Sequence, residues 1–290
     1  NMAQKKASFD KFYYKIVYYC IYKTKPDFMR NVFPILIAVA LVSLFPSCQK
    51  EVDVETVVET DTVTVNLQRG LIAYYPFTGN ANDSSGNNKH GMPMNGVAYA
   101  SNAQGLANSA AEFDGIDDYI NVTDANNYFA PPKLSVSFQV NLRNTAARNM
   151  FLCKSAFPTP SSVSWGVNLT NKIGFTVADP TASFTPCGLW NHLTAPAYDT
   201  YSVDSLRNNT WYHITVIYNL GVKMIYINGQ LNSASVSNYS NLMQCSSSDF
   251  KIGGWWQNDV ISIHGKMDEL RLYNRILAEN EIEELATQIR

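Results

Sequence analysis

Charge is scarce in this chain. Asp, Glu, Lys and Arg make up 16% of its 290 residues, where about 25% is usual for a globular protein. The 22 basic and 24 acidic side chains leave a formal net charge of -2, so there is no electrostatic footprint for nucleic acid or for an acidic membrane surface. Cysteine is sparse as well, with five residues and no CxxC pair, which excludes a zinc knuckle and a thioredoxin-type redox motif. There is no HExxH, no G-x-S-x-G and no P-loop, and the four histidines are scattered. Strands do not alternate with helices, which excludes a parallel α/β architecture.

What stands at the N-terminal end is a targeting pattern. From Met29 the chain reads "MRNVFPILIAVALVSLFPSCQKE": one Arg, an apolar run from Val32 to Phe45, small residues and a cysteine. The run is too short for a comfortable membrane span and has the order of a signal peptide. Pro34 and Pro46 bracket it, which argues against a buried helix. The processing site resembles a bacterial lipobox, with Phe45 where Leu is usual and Pro46 after it. That resemblance implies that residues 29–47 are removed and that Cys48 becomes the lipidated first residue. Residues 1–28, basic and aromatic, then read as an upstream extension ahead of the true start at Met29. Residues 48–69 are rich in Val, Thr, Glu and Asp, with no Gly before Gly70. They read as an acidic tether, and their alternation is also compatible with an edge strand. "CQKE" resembles the charged export signals beside the lipidated cysteine of Bacteroidetes surface lipoproteins, which implies anchoring in the outer membrane, exposed at the cell surface.

Beyond Gly70 short β segments dominate: "GLIAYYPF", "AAEFDG", "DDYINV", "LSVSFQVNL", "NMFLCKS", "WGVNLT", "KIGFTVA", "WYHITVIYN", "VKMIYING", "FKIGG" and "GKMDELRLYN", each bounded by turn residues. In "YHITVIYN", Ile214, Val216 and Tyr218 face one way and His213, Thr215 and Ile217 the other. Asn228-Gly229 is a favoured two-residue hairpin pair, because both positions need positive φ. Only "LAENEIEELATQIR" reads as helix, with Ile282, Leu285 and Ile289 at i, i+3 and i+7. The expected architecture for residues 70–290 is all-β, two antiparallel sheets packed as a sandwich, with a short C-terminal helix.

Four pieces in order identify a family: "GLIAYYPFTGNANDSSGNNKHG", "SAAEFDGIDDYINV", "WYHITVIYN…MIYINGQL" and "GKMDELRLYNRILAENEIEEL". Together they resemble the LamG-like jelly-roll domain of the concanavalin A-like lectin/glucanase superfamily over Gly70 to Leu285. The resemblance implies two curved sheets with first and last strands side by side, and often a structural calcium near that junction. By it, Asp268 supplies a side-chain ligand, Gly115 a backbone carbonyl, and Asp83 matches the aspartate of the family's polar loop. The residues agree with a metal, since Ca²⁺ takes roughly six to eight oxygens and the Gly79–Gly91 tract offers Asn80, Asn82, Asp83, Asn87 and Asn88. Asx-turns explain the same residues without a metal, and Thr78 stands where the family commonly has an aspartate. Ala278 replaces the family's helix-starting Ser, a poorer N-cap. Phe113 and Trp211 are core by pattern and resemblance.

Glucanases of that superfamily carry Glu-x-Asp-x-(x)-Glu along one strand, so that acid and nucleophile share a face. No strand here has that triplet, and Asp114, Asp117 and Asp118 read as turn formers, so the expected protein is not an enzyme. Sugar binding calls for exposed aromatic faces with amide and carboxylate groups beside them. Two loops qualify, one carrying Trp190, His192, Tyr198 and Tyr201, the other Trp255, Trp256 and Asn258. Adjacent tryptophans on a strand point oppositely, which puts one in the core and the other outside. The expected partner is a glycan or glycoprotein, with protein–protein adhesion as the alternative and a glycan hydrolase behind both. Of the cysteines left after processing, Cys187 and Cys245 lie in loop-like sequence and are the expected disulfide, and Cys153 reads as a small buried hydrophobe.

Overall fold

The computed structural model describes residues 65–124, 126–155, 163–177, 199–236, 249–255 and 261–288. Cys48, the tether up to residue 64, Cys187 and Cys245 lie outside them. Among the described residues fifteen strands come in order, beginning with β1 (Leu71–Tyr75), β2 (Met92–Met94), β3 (Ala98–Ala100), β4 (Ala110–Asp114) and β5 (Tyr119–Val122). β6 (Lys133–Leu142), β7 (Asn149–Ser155), β8 (Val163–Thr170), β9 (Lys172–Val177) and β10 (Asp199–Tyr201) come next. β11 (Trp211–Asn219), β12 (Val222–Ile227), β13 (Gln230–Val236), β14 (Asp249–Ile252), β15 (His264–Tyr273) and the helix α1 (Glu279–Thr287) complete the fold.

The strands make two sheets, antiparallel in every pairing described. One has eight strands in the order β13-β12-β11-β6-β15-β4-β3, with β1 added beside the second half of β15. The other has seven, β10-β9-β8-β7-β14-β5-β2. First and last strands are neighbours, as the resemblance implied: Leu71 pairs with Tyr273 and Tyr75 with Leu270. The segments read as strands from alternation all form strands. The short β2, β3 and β10 carry too few residues for a periodicity to show.

The core lies between the sheets. Leu134, Val136, Phe138 and Val140 of β6 interleave with Ile214, Val216 and Tyr218 of β11, all buried, and face Phe151, Trp165, Val167 and Phe250 of the other sheet. Trp165 donates its Nε1–H to the carbonyl of Phe129 at 2.7 Å, so its one polar atom is satisfied inside. Phe113 is fully buried as expected, whereas Trp211 is only half-buried. It has the parity of His213 rather than of Ile214, which turns it away from the inter-sheet core. A buried ion pair, Lys154 Nζ to Asp124 Oδ2 at 2.9 Å, seals one part of the interior. Asp124 also accepts the backbone N–H groups of Tyr128 and Phe129, so its carboxylate is paired and fully bonded.

The helix covers the outward face of the eight-stranded sheet and packs on β11. Ala278 has extended backbone and offers no side-chain cap. Glu281 makes up the deficit: its Oε2 accepts the Ala278 N–H at 2.9 Å, and its carboxylate takes two bonds from the Arg275 guanidinium, at 2.6 and 2.8 Å. Burial opposes ionisation of Glu281, and Arg275 outweighs it, holding this carboxyl below its usual range. Ile282 and Leu285 are buried beneath the helix, as their spacing predicted.

Candidate functional site

The polar tract after β1 folds as a set of turns around Asp83. Its Oδ1 accepts the N–H groups of Tyr74 and Ser85 at 3.0 and 2.9 Å, and Oδ2 that of Lys89 at 2.9 Å. Burial works against the charge, but these backbone donors prevail and hold the Asp83 carboxyl below its ordinary value. Asn80 is exposed and caps its own turn, accepting from Asn82 N and donating to Thr78 O.

The four residues expected to share a calcium do not converge. Asp114 lies opposite His264 on β15, which places Gly115 at the start of that strand, while Asp83 bonds Tyr74, which lies opposite Arg271. Those two positions on β15 are about 20 Å apart at ~3.3 Å per residue, and Asp268 falls between them. Asp83 has also given its lone pairs to three amides. Asp268 is 1% exposed and faces away from the inter-sheet core, opposite Gln139. Burial, with Glu269 beside it, pushes its carboxyl up to about 7. One ion cannot use all four. Oxygens of Asp114, Asp117 and Asp118 do gather within 4.8 Å of one another. Two of these carboxylates are engaged in the turn itself: Asp118 Oδ2 accepts Asp114 N and Asp114 Oδ1 accepts Ile116 N.

Of the aromatics expected at a sugar site, Trp190, His192, Tyr198, Trp256 and Asn258 lie outside the described residues. Trp255 is 4% exposed and packs with Met150, Cys153 and Ile261 in a small cluster on the outward face of the seven-stranded sheet. It is therefore the core member of the Trp pair. Cys153 is buried in the same cluster, as expected.

Tyr201 is different. It closes β10, the edge strand, and is 48% exposed. Register places it opposite Gly174 of β9, which lies opposite Asn168 of β8. A methyl group on Gly174 would stand 3.2 Å from Tyr201 Cε1 and 2.9 Å from Asn168 Oδ1. The phenol ring therefore crosses the sheet over a residue without a side chain, with a half-buried carboxamide next to it. The adjacent row of the same face runs Thr176, Gly166, Cys153, Lys251 and Asn121. There Lys251 Nζ donates to Asn121 Oδ1 at 3.3 Å. At the β10 end an exposed aromatic, a glycine floor and the Asn168 carboxamide give stacking and hydrogen bonding in one place, while Asn121 lies five strands away on β5. Its place in an aromatic-rich loop segment singled out Tyr201 in the sequence but not Asn168 or Gly174, which only strand register brings beside it.

A family model described as the concanavalin A-like lectin/glucanases superfamily matches residues 114–283. The chain belongs to that superfamily. Domain 4 of AbnA, a GH43 extracellular arabinanase from Geobacillus stearothermophilus, solved with arabinotriose, is similar in fold. Its identity is 20% and its TM-score 0.56, over 74% of this chain and 98% of that one. The binding domain of Botulinum neurotoxin DC, solved with rat synaptotagmin II, matches at 16% identity and TM-score 0.56 over 78% of this chain. The same domain solved with SialylT matches likewise, at 16% and 0.56. In both toxin matches this chain spans about half of the neighbour, 53% of its length. Among curated proteins none matches the sequence. At these identities the likeness is one of fold.

Proposed function

We propose that the sandwich is a non-catalytic binding module for a glycan or glycoprotein, carried at the cell surface by a lipid on Cys48. The observation that carries this reading is the Tyr201 platform: an exposed ring laid over Gly174, with the Asn168 carboxamide beside it. A sugar presents C–H groups to such a face and hydroxyls to the amide. Structures of similar fold solved with arabinotriose and with SialylT support a saccharide as the ligand class. Two of the sandwich's carboxylates are held in ion pairs, Glu269 with Arg271 at 2.5 Å and Asp124 with Lys154. That favours binding over hydrolysis, which needs two carboxyls flanking a bond.

The test is a glycan array probed with the full chain and with Tyr201→Ala. A half-exposed residue at an edge strand leaves stability nearly unchanged, while loss of stacking weakens binding at least about 10-fold, or ~1.4 kcal/mol. Unaltered sugar binding by the folded variant overturns the site. The synaptotagmin II complex of the toxin domain favours a second reading, a protein partner on the same scaffold. A stable partner recovered by pull-down and indifferent to free sugars, with an empty glycan array, selects that reading.

A further inference from the structure

Between the eight-stranded sheet and α1 lies a polar layer that neither the inter-sheet core nor the Tyr201 platform uses. Strand register builds it in rows. Asp268 lies opposite Gln139, and Gln139 opposite His213. In the next row Arg271 lies opposite Ser137, and Ser137 opposite Thr215. A bulge between Asp268 and Arg271, with Glu269 at φ 53°, keeps Asp268 and Arg271 on the same face although they stand an odd number of positions apart. Tyr273 follows, opposite Ser135. All these side chains alternate with core residues and so point outward, yet Ser137, Gln139, His213, Thr215, Asp268 and Tyr273 are 1% exposed or less. The helix covers part of the layer, with Ala286 against Gly229 at the hairpin beyond β12 and Gln288 taking a 3.3 Å bond from Arg271 on β15; the loop before β4 covers more, Asn102 bonding Asp268.

Within this layer only part of the polar inventory is paired by protein. His213 Nε2 and Ser137 Oγ share a hydrogen bond of 2.8 Å. Four buried atoms have no protein partner: Gln139 Oε1, His213 Nδ1, Thr215 Oγ1 and Tyr273 Oη. Leaving such atoms bare forfeits their full hydration, so native interiors bring a partner to nearly all of them. Four on one face, on three adjacent strands, mark a shared site rather than four accidents.

We propose that this layer binds ordered water, one or more molecules bridging Gln139, His213, Thr215 and Tyr273 beneath the helix. The donor and acceptor chemistry selects the ligand. Gln139 Oε1 only accepts, the two hydroxyls donate or accept, and His213 Nδ1 takes whichever role its bond to Ser137 leaves. An ion of either sign meets charges of both signs here, since Arg271 is already paired with Glu269 and Asp268 shares the same face. A neutral molecule that both donates and accepts meets no such objection, and buried water typically makes about three such bonds. Asp268, expected as a calcium ligand, then belongs to a hydrated seam that fastens helix to sheet.

A crystal structure of the full chain tests this directly. The expected result is a solvent peak within about 2.7–3.2 Å of at least two of the four atoms. A layer closed without such a peak overturns the proposal, as does a peak ringed by six or more oxygens at about 2.4 Å, which is a cation. Thermal melting of Thr215→Val, nearly isosteric, gives a second reading. If water bridges the hydroxyl, the melting temperature falls by about 2–4 °C. An unchanged or raised melting temperature means that the hydroxyl was bare, and sinks the idea.

Discussion

The two sheets each turn one face away from the shared core, and they use those faces in opposite ways. The eight-stranded sheet hides its outward face under α1 and fills it with serine, threonine, glutamine, histidine and aspartate. The seven-stranded sheet packs a small apolar cluster around Trp255 on its outward face, yet leaves Tyr201 half in solvent at its edge. Polar residues are thus buried where nothing outside can reach them, and an aromatic is exposed where something can. The lesson is that polarity alone does not mark the functional face of a sandwich. What marks it is a large side chain kept in water against the hydrophobic effect, which favours its burial by about 25 cal/mol per Å².

The sharpest way to break this contrast is Trp255→Ala. As a packed residue it is expected to cost about 3–5 kcal/mol in denaturant unfolding; a loss below ~1 kcal/mol would mean that the indole is not core. Next comes pH on the helix-covered face. Burial depresses His213 from 6.5 to about 3, so its contribution is complete above pH 6.5 and is lost as pH falls toward 3. Asp268 runs the other way: raised from 3.8 to about 7, its contribution is complete below pH 3.8 and is lost as pH rises through 7. Asp268→Asn stays neutral throughout, so its stability relative to the parent is expected to climb by about 2–4 kcal/mol between pH 4 and 8. Parallel pH profiles for the two proteins would contradict a buried carboxyl whose desolvation outweighs its bonds to Glu269 N and Asn102.

Smaller effects follow at the edges of the contrast. Glu281→Ala removes both the substitute cap and the partner of Arg275, and a loss of about 1–2 kcal/mol is expected by thermal melting; no loss would show that the helix is held by its apolar face alone. Gly174→Ala is expected to leave stability within ~1 kcal/mol while weakening glycan binding about 3–10-fold, since the new methyl displaces Tyr201 and Asn168 together. Equal binding by the two proteins would detach the ring from the site.

Much of this architecture was legible from residue spacing. β6 and β11 alternate cleanly, and "KMIYINGQL" announces its hairpin, whereas the bulge of β15 breaks its period between Asp268 and Arg271. Alternation states that His213 and Thr215 point away from Ile214, but not whether the face they share with Ser137 and Gln139 meets water or a helix. That depends on where α1 lands, a long-range fact. Asp268 shows the same limit: the motif that identifies the family singles out the residue, while its surroundings come from neighbours that register alone supplies. Trp255 and Tyr201 were equally good candidates by composition, and burial separated them.

The pairing of β1 with β15 has a consequence in time as well as in space. Leu71 must wait for Tyr273, the whole length of the domain, before its backbone finds a partner in the sheet. Contacts so distant in sequence close late and slow folding. During synthesis the "LIAYY" segment is therefore an apolar strand without its sheet partner, exposed to wrong neighbours until β15 has emerged. Arg275, bonding the carbonyls of Arg69 and Asn66, then acts as the latch that ends that vulnerable interval.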